Sequence, residues 1–126
     1  MRLLLIASAG GAIGTGFRFL INRVFAHAGL IEFPWATLTI NILGSFLMGV
    51  LIETLALRFN ASNELRTFFA TGILGGFTTF SAFSLEFATL FERGNTAAAF
   101  SYVAASVVFS LFAIFAGLTL ARWVLA

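Results

Sequence analysis

Four apolar stretches, each long enough to cross a bilayer, follow one another between Leu3 and Val124 with only short polar connectors between them. Crossing the hydrocarbon takes about 20 mostly apolar residues per helix, and hydropathy places the spans at Leu3–Phe25, Ala36–Leu57, Leu65–Phe91 and Ala97–Val124. That arithmetic uses nearly all 126 residues. It leaves a single four-helix transmembrane domain over residues 1–126 and no room for a globular catalytic unit. Composition agrees: 60% of residues are hydrophobic and 10% charged, with a mean hydropathy of +1.05, well outside the range of soluble domains. The start of the chain imitates a signal peptide, with Arg2, an apolar run and Ala26-His27-Ala28. The run is longer than a usual signal core and contains Arg18, so it reads as the first span.

The connectors carry the expected punctuation. Pro34, the only proline, sits just before a helix start, and Trp35 beside it suits the membrane interface. Ser62 or Asn63 fits as an N-cap for the third span. Glu92-Arg93-Gly94-Asn95-Thr96 reads as a tight turn. Cysteine is absent and the lone His27 falls in a connector, which leaves no thiolate or histidine cluster for a metal. A net charge of +2 spread over loop ends is no footprint for nucleic acid.

Positive charge barely distinguishes the two membrane sides. Arg2, Arg58, Arg66 and Arg122 fall on one, and Arg18, Arg23 and Arg93 on the other. Orientation normally follows a clear bias of this kind. Its near absence leaves either another orienting feature or insertion in both directions. The second case permits an antiparallel two-fold dimer. Four spans also make a thin wall for any pore, and assembly is the natural remedy.

The third span is interrupted by Gly75-Gly76-Phe77-Thr78-Thr79-Phe80-Ser81-Ala82-Phe83-Ser84. Paired glycines weaken a helix, and hydroxyl side chains offer partners to loosened backbone. Unpaired peptide groups cost several kcal/mol in hydrocarbon, so such a break survives only where it is buried in protein or lines a cavity. Broken helices recur at ion sites near the midplane. Freed carbonyls near Gly75 and Thr78 suit a hard cation. The edges of Phe80 and Phe83 are electropositive and can cradle a small anion, with the hydroxyls of Ser81 and Ser84 beside them. Glu86, one turn further, is expected to pair with an arginine or gate a path.

Other spans add polar residues in register. Asn41, Gly44, Ser45 and Gly49 share one face of the second span, and Asn41 must line a wet path or bond across helices. Thr37 and Thr39 widen that polar entry, while Glu53 fits the interface. Tyr102, Ser106 and Ser110 form a hydroxyl stripe on the fourth span. Gly10 and Gly14 have the spacing that lets helices approach closely, and Arg18 must snorkel, pair or face a vestibule.

Taken in order, Gly14-Thr15-Gly16-Phe17-Arg18, Thr37-Leu38-Thr39-Ile40-Asn41, the run from Gly72 to Glu86, Glu92-Arg93-Gly94 and the Tyr102/Ser106/Ser110 stripe resemble the motifs of the Fluc (CrcB) fluoride channels over nearly the whole chain. The resemblance implies an all-α membrane protein with a break in the third of four helices. It also implies an antiparallel, dual-topology homodimer in a bacterial inner membrane. That dimer would hold two fluoride pores and one structural Na⁺, with no organic cofactor. By position, Gly75 and Thr78 would give backbone carbonyls to Na⁺, and Phe80 and Phe83 would meet fluoride edge-on. Asn41 would donate in the pore, while Ser81, Ser84, Tyr102, Ser106 and Ser110 line its track and Arg18 marks a vestibule. Ala82 departs from the pattern, standing where many members have threonine. The main rival is a small proton-coupled cation or multidrug exporter, which needs a carboxylate in its first span; this one has none. An accessory subunit would explain the glycines but not the central run, and no acid–base constellation supports an enzyme.

Overall fold

The computed structural model describes residues 1–30, 32–57 and 62–125. Arg58, together with the first part of the second connector, lies outside the described residues. The chain forms helix α1 (Arg2–His27), helix α2 (Trp35–Leu57), a compound helix α3, helix α4 (Ser81–Glu92) and helix α5 (Thr96–Leu125). Helix α3 covers residues 63–77 in three pieces: a first turn Asn63–Arg66, a π-helical stretch Thr67–Leu74 and a last α turn Gly75–Phe77. With α3 and α4 joined as one span, Asn63–Glu92, the helices long and apolar enough to cross a membrane number four among the described residues.

Each span begins or ends about where the connectors place it. Ser62, rather than Asn63, caps α3, its hydroxyl accepting from the Leu65 N–H at 3.2 Å. Helices α1 and α4 both stop on a glycine with positive φ, Gly29 at 80° and Gly94 at 85°. In each case the next N–H reaches back five residues, Leu30 to the Phe25 carbonyl and Asn95 to the Leu90 carbonyl. Two carbonyls of the last turn are thereby satisfied, and only glycine enters that backbone region without strain.

The bundle is assembled from two parallel pairs, α1 with α3 and α2 with α5, and α4 lies against α5. Backbone contact makes both pairs possible. A Cβ on Gly14 would strike the Ile73 carbonyl and come within 2.8 Å of the Phe77 nitrogen. Gly49 meets the backbone of Ile114 and Leu118, and Gly117 meets that of Phe46 and Val50. Small residues in such seams replace the hydrophobic drive that lipid does not supply. At the end of the bundle where the chain starts, Arg2 pairs with Glu64 at 3.1 Å and Arg122 with Glu53 at 3.1 Å. The interfacial reading of Glu53 is thus realised as an ion pair. Bulky apolar side chains elsewhere point outward, Leu5, Phe19, Phe112 and Trp123 among them, as a bilayer-embedded surface requires.

Candidate functional site

The break falls within the expected run, at Thr78 and not at the paired glycines themselves. Gly75 and Gly76 are still helical, and the chain opens at Thr78, whose ψ of 161° is extended. Thr78 ends the helix with both its N–H and its hydroxyl on the Leu74 carbonyl, each at 3.0 Å. What replaces the missing helical bonds comes from another helix. Asn41 on α2 accepts from the Thr79 N–H at 3.1 Å and donates to the Thr79 carbonyl at 3.2 Å, clamping the backbone of that residue through the peptide units on both sides of it. This is the cross-helix bond allowed for Asn41, and it leaves one amide hydrogen uncommitted. The Thr79 hydroxyl then lies 3.3 Å from the Ser81 hydroxyl and accepts from the Ala82 N–H at 3.3 Å.

These diversions release two carbonyls. In a continuous helix Gly75 would receive the N–H of Thr79, and Thr78 that of Ala82; the first is taken by Asn41 and the second by the Thr79 hydroxyl. Both Gly75 and Thr78 line a groove of about 570 Å³ that opens on the side of the bundle. Its walls also carry Asn41, Phe80 and Phe83, with Ser106 and Ser110 opposite. The Ser106 and Ser110 hydroxyls are buried there without a hydrogen-bond partner among the described residues. Two of the three residues of the stripe therefore line the groove that holds the break, with their hydroxyls shielded from solvent.

The aromatic pair sits at the lip. Phe80 is 76% exposed, so its ring projects out of the protomer rather than into it. It lies 5.4 Å from Phe83 with the planes tilted by 43°. Phe77, on the far side of the break, is turned inward and buried. The phenylalanine ridge that a continuous helix would show is thus split between core and surface. Phe83 also lines a second depression of about 450 Å³ with Ser84, Phe87 and Phe91. Ser84 donates to the Phe80 carbonyl at 3.0 Å and belongs to this second side.

Beyond Phe83 the third hydroxyl of the stripe is sealed in. Tyr102 is fully buried, its ring 5.1 Å from Phe83 and its hydroxyl donating to Glu86 Oε1 at 3.1 Å. The other carboxylate oxygen accepts from Thr37 at 3.0 Å. Glu86 is thus held by two hydroxyls; of the two expected roles, pairing with an arginine is not realised among the described residues. Arg18 lies on α1 away from the groove, its Nε buried and without a partner among the described residues.

This arrangement can be set against known proteins. The family model described as "CrcB-like protein, Camphor Resistance (CrcB)" matches residues 5–118. The chain belongs to the CrcB family. Among CrcB relatives, one from Mesorhizobium japonicum is 56% identical over 119 residues, covering 94% of this chain and 95% of the relative. A second, from Chelativorans sp. (strain BNC1), is 53% identical over 97% of this chain and 98% of its own length. A third, from Agrobacterium fabrum, is 51% identical over 93% and 94%. Each of the three is named "Fluoride-specific ion channel FluC".

Within this CrcB chain, reading the sequence brought together most of the groove but missed two connections. Thr79 was expected only to offer its hydroxyl to loosened backbone, as it does to the Ala82 N–H, and its grip by Asn41 was not foreseen although Asn41 was singled out. Phe33 was passed over as connector, yet it packs on the buried cluster around Tyr102. Its signal was available in the aromatic residues flanking Pro34.

Proposed function

We propose that this chain is a passive, fluoride-selective channel of the bacterial inner membrane, letting cytoplasmic fluoride leave down its electrochemical gradient. The relatives' names support the ion. The observation that carries the mechanism is the groove itself, where an exposed Phe80, Phe83, Ser106, Ser110 and two released carbonyls line one helix break, the serine hydroxyls having no hydrogen-bond partner among the described residues. Hydroxyl donors and ring edges suit a small, hard anion that has shed water. One protomer leaves this groove open along its side. An antiparallel dimer of dual topology would close it and repeat it, giving two pores about one axis.

The carbonyls of Gly75 and Thr78 fit a hard cation, since each has lost its helical donor and neither is a charged ligand that would compete with the anion. Two oxygens are too few for such an ion, which takes about six. The same pair from a second copy would raise the number, and we assign these residues to a shared structural Na⁺. Such an ion would neutralise carbonyl dipoles at the contact between copies. The proton-coupled exporter fits less well, because α1 carries no carboxylate and the buried Glu86 is committed to two hydroxyls.

The test is efflux from liposomes loaded with fluoride, read with a fluoride electrode and with chloride as control. Rapid fluoride loss that is independent of a proton gradient, with little chloride loss, is the expected result. Proton-coupled flux, or none from folded dimeric protein, would reject the channel. In the same assay Phe80→Ala and Phe83→Ala are each expected to slow fluoride efflux by about tenfold or more, the equivalent of one lost aromatic–ion contact. If both variants conduct as the parent does, the ring-edge account is wrong.

A further inference from the structure

Phe33, in the connector between α1 and α2, packs on Tyr102, whose hydroxyl is held with that of Thr37 on Glu86. Along α2, Asn41 lies in the groove and Thr37 one turn nearer the connector; along α5, Ser106 lies in the groove and Tyr102 one turn nearer its start. A route that follows the hydroxyls out of the groove therefore runs past Phe83 to Tyr102 and Thr37. There it is dry: Tyr102 is 0% exposed and Thr37 2%. On the connector side, Phe33 lies against Tyr102, edge-on at 83° with the ring centroids 5.6 Å apart.

The connector is built to hold that ring in place. The Trp35 N–H donates to the Phe33 carbonyl at 2.7 Å, closing a three-residue turn around Pro34, whose fixed φ suits it. The Trp35 ring, 4.7 Å from that of Phe33, backs it from the exposed side. Connector residues in general run over a surface in contact with water, whereas Phe33 is turned inward onto buried side chains. We propose that Phe33 is the apolar constriction at the connector end of the conduction path, setting the rate at which fluoride passes between the Glu86 cluster and bulk water. The inference rests on the channel reading of the hydroxyl stripe. Apolar constrictions act by excluding water, and removal of the ring would hydrate the cluster.

Two measurements separate this from the function on which it rests. The chain has no cysteine, so Thr37→Cys introduces a single thiol within the buried Glu86 cluster. In detergent-solubilised dimer, labelling of that thiol by methanethiosulfonate ethylammonium is expected to be about tenfold faster with Phe33→Ala than with Phe33 intact, since the barrier to entry is lowered. Without the thiol, Phe33→Ala alone is expected to raise fluoride efflux severalfold. Equal labelling rates would overturn the proposal and leave Phe33 an anchor of the connector, whose loss lowers thermal stability only. If Phe33→Ala does not yield folded dimer, Phe33→Val in the same background carries the comparison with a smaller increase. Labelling uses no fluoride, so a protein that conducts nothing would reject the channel reading while the thiol still reports on the constriction.

Discussion

Asn41→Ala is expected to lower fluoride efflux by about 10²-fold and to destabilise the protein, because it strips both partners from the Thr79 peptide at once. Each buried peptide group left unpaired costs about 1–3 kcal/mol, and more in hydrocarbon. Two of them are enough to let the break recoil toward a continuous helix, in which Gly75 and Thr78 would regain their donors and Phe80 would turn elsewhere. Asn41→Asp provides a graded comparison. Its carboxylate still accepts the Thr79 N–H but faces the Thr79 carbonyl with no hydrogen to give, so its flux and thermal stability are expected to fall between those of the parent and the alanine variant. Efflux from liposomes and a thermal melt in detergent, made on the same preparations, check both effects. Parent-like flux and stability in Asn41→Ala would mean that the break is held by something other than this clamp.

Gly14→Val is expected to prevent assembly of the bundle altogether. The obstacle is main chain, the Ile73 carbonyl and the Phe77 nitrogen, and main chain in a helix cannot step aside as a side chain does. Overpacking typically costs about 1–3 kcal/mol when side chains can adjust, and here α1 and α3 must separate along a shared seam. Gly11→Ala is the control from the same helix, since a Cβ there meets nothing within 4 Å. Size-exclusion profiles and yield from membranes should show loss of monodisperse protein for the first variant and none for the second. A monodisperse Gly14→Val protein would show that α1 is free to move off α3.

The contrast between these two sites shows which parts of the architecture could be read without coordinates. Span positions follow from hydropathy, and α1, α2 and α5 lie within two residues of the expected bounds at each end. The seam at Gly14 was visible as a spacing, though nothing in the sequence names Ile73 and Phe77 as its partners. The break was expected within the run from Gly75 to Ser84, where paired glycines weaken the helix. It fell at Thr78 because the deciding term is long-range, the amide of Asn41 offering the Thr79 peptide both a donor and an acceptor. Glu86 was expected on charge alone to pair with an arginine or to gate a path. Two hydroxyls satisfy it instead, since Thr37 and Tyr102 are brought to it by the packing of α2 and α5 on α4. Pairings across helices depend on rotation of each helix about its axis, a quantity that hydropathy does not fix.

The wide turns of Thr67–Leu74 bear on how such a chain tolerates change in length. A π turn holds one residue more than an α turn closes over, as in the Gly75 N–H reaching back to Ala70. Surplus residues are therefore stored between the Ser62 cap and the break, away from the groove lining. Deleting one residue there should let the stretch relax to ordinary α-helix with Phe80 and Thr79 still in station, whereas the same deletion in α2 would rotate Asn41 off its target by about 100°. Gaps among descendants of this gene should accordingly gather in the first half of the third span and spare the second span.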